Sequence, residues 1–375
     1  MSLTKLPADV RQTIHQSGLD PDEIEALRHA FVGADDLSAA NQIEGTLRAP
    51  RADELHRGHD TAVDLSRIGL EELRRGAVGL IILNGGMATR FGGHVKGAVT
   101  VSDGLSFLGF KLKDALRVSR RAAATPPIVI LMNSNATDAA TKAHLAAHEY
   151  FGYPQERIWM MTQCWSVRFN LDGSIVRNDD GQPEYYGPGH GDVVTCLKNS
   201  GCLARFIAEG GERFLLSNVD NVVATLDTGL IGLHVHCDKP LMIEVVDRWN
   251  GDTGGAPLWV NHHAQIVEGF RLPPDFSIET VPYFNTNTFW IHVDAFDVSE
   301  KLTWFCVKKS QAGRTFIQFE RLVGELSAHV GSAFAHVPRD GLGSRFIPVK
   351  TPDDLAQNRA WVIEAWEARG QVSDG

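Results

Sequence analysis

The chain has 375 residues, 43% of them hydrophobic and 22% charged, an ordinary soluble composition with enough apolar side chains for a large core. At roughly 100–200 residues per domain, that length suits two domains or one large α/β domain with additions. The 36 lysines and arginines stand against 46 aspartates and glutamates, a formal net charge of -10. This argues against a nucleic-acid partner, though not against a small anion held by a few cations and backbone amides. Five cysteines, Cys164, Cys196, Cys202, Cys237 and Cys306, are odd in number and show no CxxC spacing, so neither a disulfide framework nor a zinc knuckle is expected. The start, MSLTKLPADV, has no signal-peptide character, and no run approaches the roughly 18 apolar residues of a membrane helix. A cytoplasmic protein without a membrane partner is expected.

Residues 1–70 read as a polar, helical N-terminal region. Asp20-Pro21-Asp22-Glu23 opens one helix: Asp20 suits the cap, Pro21 the first turn, and Glu23 completes a capping box. Ile24, Leu27 and Phe31 then form an apolar stripe, and the polar stretch 48–62 reads as a link. From residue 77 the pattern changes. AVGLIIL (77–83) is an unbroken apolar run ending in Asn84-Gly85-Gly86, as a strand buried on both faces of a parallel sheet requires. A helix over about 106–122 and a second strand, PPIVILMNS (126–134), complete a βαβ unit. RFLLSNVDN (213–221), PLMIEVVDR (240–248) and NTFWIHV (287–293) add further strands, and His234 and His236 are expected on one strand face. The predicted fold is α/β: a Rossmann-like, mixed and mainly parallel sheet with helices on both faces. The main domain is expected over 71–330, followed by a short C-terminal segment, 331–375.

Ligands of such sheets bind outside the carboxyl ends of the strands, so the polar residues after each apolar run should converge. The first of these segments, Asn84 to Lys96, holds four glycines, the Thr89 hydroxyl and the cations Arg90 and Lys96. Glycines allow tight turns and bring backbone amides close to phosphate oxygens. The spacing is neither GxGxxG nor GxxxxGK[ST], so the dinucleotide and Walker readings both fail. A strand-to-helix turn with no ligand is the plain alternative.

The loop resembles the signature of the UDP-sugar pyrophosphorylases, the UDP-glucose and UDP-N-acetylglucosamine group, which reads roughly L-x-G-G-x-G-T-x-x-G followed by P-K. Ala88 and Val95 depart from it, standing where that family has glycine and proline. Gly187 to Asp192 resembles P-P-G-H-G-D, Ser217 to Asn221 resembles S-N-A-D-N, and Gly254-Gly255 matches a glycine pair. Phe284 to Trp290 resembles F-N-T-N-N-L-W, and Arg345 to Lys350 resembles R-F-L-P-V-K. The resemblance runs in order from about residue 77 to 360. Arg248 stands where the family commonly has a lysine, and the family's C-terminal β-helix is not expected here.

The resemblance implies a fold of the nucleotide-diphospho-sugar transferase type and a reaction between UTP and a sugar 1-phosphate that releases pyrophosphate. The attacking phosphate is already an anion at neutral pH, because its second pKa is about 6. Such a reaction needs alignment and positive charge rather than a general base. On this resemblance Lys96, Arg90, Arg248 and Lys350 are the catalytic cations, and Asp220 is the ligand of Mg2+. Asp192 and Asp294 are candidates for a second ligand, with neither assigned. Leu83, Asn84, Gly85, Gly86, Thr89, Gly189 and His190 are expected against the nucleotide. Asn218, Gly255, Glu268, Asn285 and Asn287 are expected against the sugar. RFIPVK and FNTN favour glucose 1-phosphate; N-acetylglucosamine or galactose 1-phosphate remains the alternative, and so does a catalytically silent nucleotide-sugar sensor. His144 and His148, four apart on a predicted helix, read as a solvated face rather than a zinc pair, since no HExxH pattern is present.

Overall fold

The computed structural model describes residues 4–31, 41–58, 63–88, 93–102, 104–311 and 313–371. An eight-stranded sheet organises it. Its strands are β1 (Leu55–His56), β2 (Val78–Leu83), β3 (Ile128–Asn133), β4 (Ile158–Thr162), β5 (Arg213–Asn218), β6 (Leu241–Asp247), β7 (Tyr283–His292) and β8 (Ser332–His336). They lie in the order β1-β8-β6-β7-β5-β2-β3-β4. Every neighbouring pair is parallel except the two made by β7, which runs antiparallel to both β5 and β6. The mixed, mainly parallel sheet expected from the apolar runs is therefore present.

The principal helices are α1 (Ala8–Gln16), α2 (Pro21–Phe31), α3 (Leu65–Arg74), α4 (Phe107–Arg121), α5 (Asn135–Ala147), α6 (Val193–Asn199), α7 (Cys202–Ala208), α8 (Thr228–Cys237) and α9 (Pro352–Gln371). Successive side chains of a strand point to opposite faces. In β2, Ile81 and Leu83 enter a core shared with α1, α2, α6 and α7. Leu80 and Ile82 enter a second core with α3, α4, α5, α8 and α9. With helices on both faces no position of β2 meets water, which is why its sequence carries no polar alternation.

Several elements differ from expectation. The polar stretch 48–62 is not merely a link. Leu47 and Arg48 pair with Val260 and Trp259, and β1 forms the sheet's edge beside β8. Helix α3 spans residue 70, and β8 is an inner strand of the sheet. His234 and His236 are not on a strand. They lie on α8, whose first turn is capped by the Asp227 carboxylate accepting from the Leu230 amide at 2.9 Å. Two residues apart on a helix do not share a face. His234 is buried, gives its Nε2 proton to the Lys239 carbonyl at 3.0 Å, and is held neutral, its pKa pushed down to about 3 by burial. His144 is only half solvated: its ring meets the Ser106 hydroxyl at 2.8 Å. Among the described residues no three His, Cys, Asp or Glu side chains gather as a metal site.

Candidate active site

Two adjoining clefts open where β2, β3 and β5 end and β7 begins. The first, the glycine lobe, is lined by Leu83, Gly85, Gly86, Lys96, Met132, Gln163, Gly189, His190, Asn218, Val219 and Asp220. The second, the amide lobe, is lined by Thr253, Gly254, Gly255, Glu268, Phe284 to Asn287, Phe346, Pro348 and Lys350, and shares His190, Asn218 and Asp220 with the first. The segments that end the apolar runs do converge, and the shared residues mark where the lobes meet.

At that junction the Lys96 ammonium lies 2.5 Å from Asp220 Oδ2, with both side chains less than one-fifth exposed. Asp220 lies two residues beyond the end of β5 and is fixed on the far side by Val349, whose amide donates to its carbonyl at 3.2 Å. The segment that bears Lys350 is stitched to the same turn. Asn221 donates to the Arg345 carbonyl at 3.0 Å and accepts from the Ile347 amide at 3.2 Å. Arg345 itself is buried and does not line either cleft. It forks onto Glu244 with two bonds of 2.7 Å, and Glu244 also accepts from Trp290 Nε1 at 2.9 Å. In RFIPVK the arginine thus anchors and the lysine projects.

A bulge explains how four consecutive residues of β7, Phe284 to Asn287, reach one cleft. Glu244 of β6 pairs with Thr288, but its neighbour Val245 pairs with Asn285, leaving Thr286 and Asn287 unmatched. Asn287 adopts a φ of +55, its amide donates to Asn285 Oδ1 at 3.0 Å, and its side chain donates to Asn218 Oδ1 at 3.1 Å. A regular strand would have sent alternate residues to the opposite face. The three asparagines form one polar wall.

Gly189 has φ 94 and ψ 171, a region that only glycine enters without strain, and a Cβ there would sit 2.4 Å from the Arg321 carbonyl oxygen. Gln163 fastens the loop by donating to the Gly189 carbonyl at 2.8 Å. Gly189→Ala is expected to cost about 1–3 kcal/mol and to push the loop into the glycine lobe. If the lobe takes the UTP that the sequence resemblance implies, isothermal titration should show its affinity falling at least ~5-fold, the lower end of that range; unchanged affinity would remove the loop from the site. His190 accepts from the Val323 amide through Nδ1 at 3.0 Å, which assigns its proton to Nε2. Burial pushes its pKa down to about 4, so it faces both lobes as a neutral donor at physiological pH.

Glu268 lies at the wall of the amide lobe, and Gly255 leaves it room: a Cβ on Gly255 would meet its carboxylate at 2.7 Å. Burial, and then the nearby Glu325, raise its pKa to about 7, with Arg271 opposing. A carboxyl raised in the folded state binds its proton more tightly there than in the unfolded chain. Stability therefore falls as pH rises from the ordinary carboxyl value through about 7. Thermal melts should show wild type losing stability between pH 5 and 8 relative to Glu268→Gln, which cannot ionise. Parallel curves for the two proteins would contradict the assignment.

Not every expected residue enters the clefts. Asn84 is fully buried, its Nδ2 spent on Asn133 Oδ1 at 2.8 Å and Thr141 Oγ1 at 2.9 Å, so it braces the loop. Arg248 donates to the carbonyls of Val281 (2.9 Å), Asp252 (3.3 Å) and Tyr283 (3.4 Å) and packs over the Phe284 ring. Its guanidinium ties Asp252 of the 249–254 loop to the 281–283 segment. Asp192 is wholly buried against Arg321 Nη2 at 2.6 Å, with its pKa raised to about 6 by burial, and Asp294 follows the opposite end of β7, beside His292. Neither lines either cleft beside Asp220. Thr89 and Arg90 lie outside the described residues. Gln163, Arg321 and Lys111 were not anticipated. Gln163 directly follows β4 and was open to the rule of polar strand ends; Arg321 and Lys111 had no local signal.

This architecture is that of the UDP-sugar pyrophosphorylases. The fold is shared with the UDP-N-acetylglucosamine pyrophosphorylase of Trypanosoma brucei, with a TM-score of 0.76 and 17% identity, covering 98% of this chain and 83% of that one. It is shared also with a mutant UDP-glucose pyrophosphorylase of Leishmania major in complex with UDP-glucose, with a TM-score of 0.70 and 23% identity, covering 94% and 79%. The UTP–glucose-1-phosphate uridylyltransferase family model matches residues 45–368, and the chain belongs to that family. Curated relatives include a probable UTP–glucose-1-phosphate uridylyltransferase of Schizosaccharomyces pombe, 29% identical over 322 residues, covering 79% of this chain. The corresponding enzyme of Encephalitozoon cuniculi is 29% identical over 299 residues, covering 76% of this chain. The chain spans 61% and 58% of the lengths of these two relatives.

Proposed function

We propose that this protein is a uridylyltransferase that joins UTP to a sugar 1-phosphate, with glucose 1-phosphate favoured, and releases pyrophosphate. The observation that carries the proposal is the Lys96–Asp220 pair at the junction of a glycine-lined and an asparagine-lined cleft, in a chain of this family. An oxygen of the sugar phosphate attacks the α-phosphorus of UTP, and the bond to the bridging oxygen of the leaving pyrophosphate breaks. No proton transfer is needed, since the nucleophile is anionic at neutral pH.

The glycine lobe receives the nucleotide: Leu83, Gly85, Gly86 and Gly189 approach it, and His190 offers its Nε2 proton. The amide lobe receives the sugar, with Asn218, Asn285, Asn287 and Glu268 facing the hydroxyls. Lys96 neutralises the triphosphate, and Lys350 meets the sugar phosphate from the other side. Asp220 fits a divalent cation, Mg2+, of the kind that takes one or two carboxylates and otherwise phosphates and water. When bound, such a cation would offset charge on the α- and β-phosphates. The salt bridge then describes a resting arrangement in which Lys96 occupies the carboxylate until substrate phosphates draw it away. Among the described residues no helix is long and apolar enough to cross a membrane. The reading has a cytoplasmic enzyme as its simplest setting.

The test is pyrophosphate release with UTP, Mg2+ and a panel of sugar 1-phosphates. Release with glucose 1-phosphate above all others is expected. Release with N-acetylglucosamine 1-phosphate alone would correct the sugar, and UTP binding without release in any combination would overturn the enzyme reading.

A further inference from the structure

The turn that carries Asp220 is held from behind by a buried lysine that lines neither cleft. Lys111, on α4, is only 2% exposed. Its ammonium donates to the Ser217 hydroxyl at 2.9 Å and to the Ala224 carbonyl at 2.6 Å. Both acceptors are neutral. Burial accordingly pushes the lysine pKa down to about 7, with Arg345 adding repulsion and Asp114, Asp220 and Glu244 opposing it. An apolar side chain would fill this space without desolvating a charge, so the bridge itself is what the lysine adds.

What it bridges is specific. Ser217 lies near the end of β5, and Ala224 lies beyond Asp220 on the far side of the turn. The turn's own backbone bonds are long: Asn221 N to Asn218 O is 3.3 Å and Ala224 N to Asn221 O is 3.2 Å. The Lys111 side chain adds a shorter bond, 2.6 Å to the Ala224 carbonyl, across the turn. We propose that Lys111 is a positioning residue for uridylyl transfer: by tying Ser217 to Ala224 it holds the Asp220 carboxylate at the junction of the two lobes. This rests on the assignment of Asp220 made above.

The test compares Lys111→Met, Ser217→Ala and the double variant with the wild-type chain. UTP binding is titrated with and without Mn2+, and turnover is measured against Mg2+. In Lys111→Met, UTP affinity without metal should be unchanged. Mn2+ affinity in the presence of UTP should fall about 10-fold, as for other groups that orient a metal ligand, and half-saturating Mg2+ should rise by a similar factor. The KM for the sugar phosphate should not move. Ser217→Ala, losing one bond of two, should show a smaller shift of about 3-fold. The double variant should be no worse than Lys111→Met, because both remove the same bridge.

A folded Lys111→Met protein with wild-type metal dependence overturns the proposal, as do effects that simply multiply in the double variant. If Lys111→Met does not fold, Ser217→Ala decides: unchanged metal dependence there overturns it. Should the wild-type chain bind UTP with Mn2+ but turn over no sugar phosphate, the functional reading fails, while the binding titrations still test Lys111.

Discussion

Replacing Asp220 by alanine is expected to lower pyrophosphate release by about 10²–10³-fold or more, with the protein still folded. Among the described lining residues Asp220 is the acidic group shared by both lobes, whereas Glu268 lines the amide lobe alone, and Asp220 touches Lys96 directly. Removing it takes away the candidate cation ligand and frees the lysine. The two effects separate in binding. Without metal, UTP should bind Asp220→Ala at least as tightly as wild type, since Lys96 no longer has a competing partner. With metal, the usual gain in affinity should vanish. The loss of stability should be small, about 1 kcal/mol, because the lysine left behind keeps some contact with water. Isothermal titration with and without Mg2+, beside a turnover assay, distinguishes these outcomes. Wild-type turnover in the variant would remove Asp220 from the chemistry altogether.

Arg345→Met is expected to destabilise the protein by about 3–5 kcal/mol, the range for breaking a buried ion pair. Glu244 would be left fully buried with only Trp290 Nε1 as a partner. The loss should be visible as a lower urea midpoint at unchanged slope. Activity should fall as well, by a route the stability loss does not share. The Arg345 carbonyl and the Ile347 amide hold the segment to Asn221, so a displaced arginine moves Lys350 away from the Asp220 turn. Pairing Arg345→Met with Glu244→Gln should recover part of the stability, because the stranded charge is gone, without restoring the rate. Recovery of both together would mean that the ion pair, and not the placement of Lys350, governs activity.

The unbroken apolar run of β2 was readable as a doubly covered strand because burial on both faces leaves no room for alternation. Lys96, Asp220 and Lys350 were recognisable from short ordered motifs, and they do line the clefts. Helix α8 was misread because its apolar run, GLIGLHVHC, has little periodicity of either kind, and only the Asp227 cap and packing against α3 settle it. Arg248 was legible as a cation but not as one turned onto three carbonyls.

By itself the sequence determined five of the eight strand runs, β2, β3, β5, β6 and β7, with the polar residues at their ends, since these depend on neighbours a few positions apart; β1, β4 and β8 carried no such signal. Which of those residues meet was decided by the tertiary structure alone. Lys111 and Ser217 are 106 positions apart, Arg345 and Glu244 are 101, and Asp192 and Arg321 are 129. The charge states follow the same division: Glu268 and His190 depart from their ordinary pKa values because distant elements close over them and remove water. Desolvation depends on what packs against a group, and nothing in its local sequence records that.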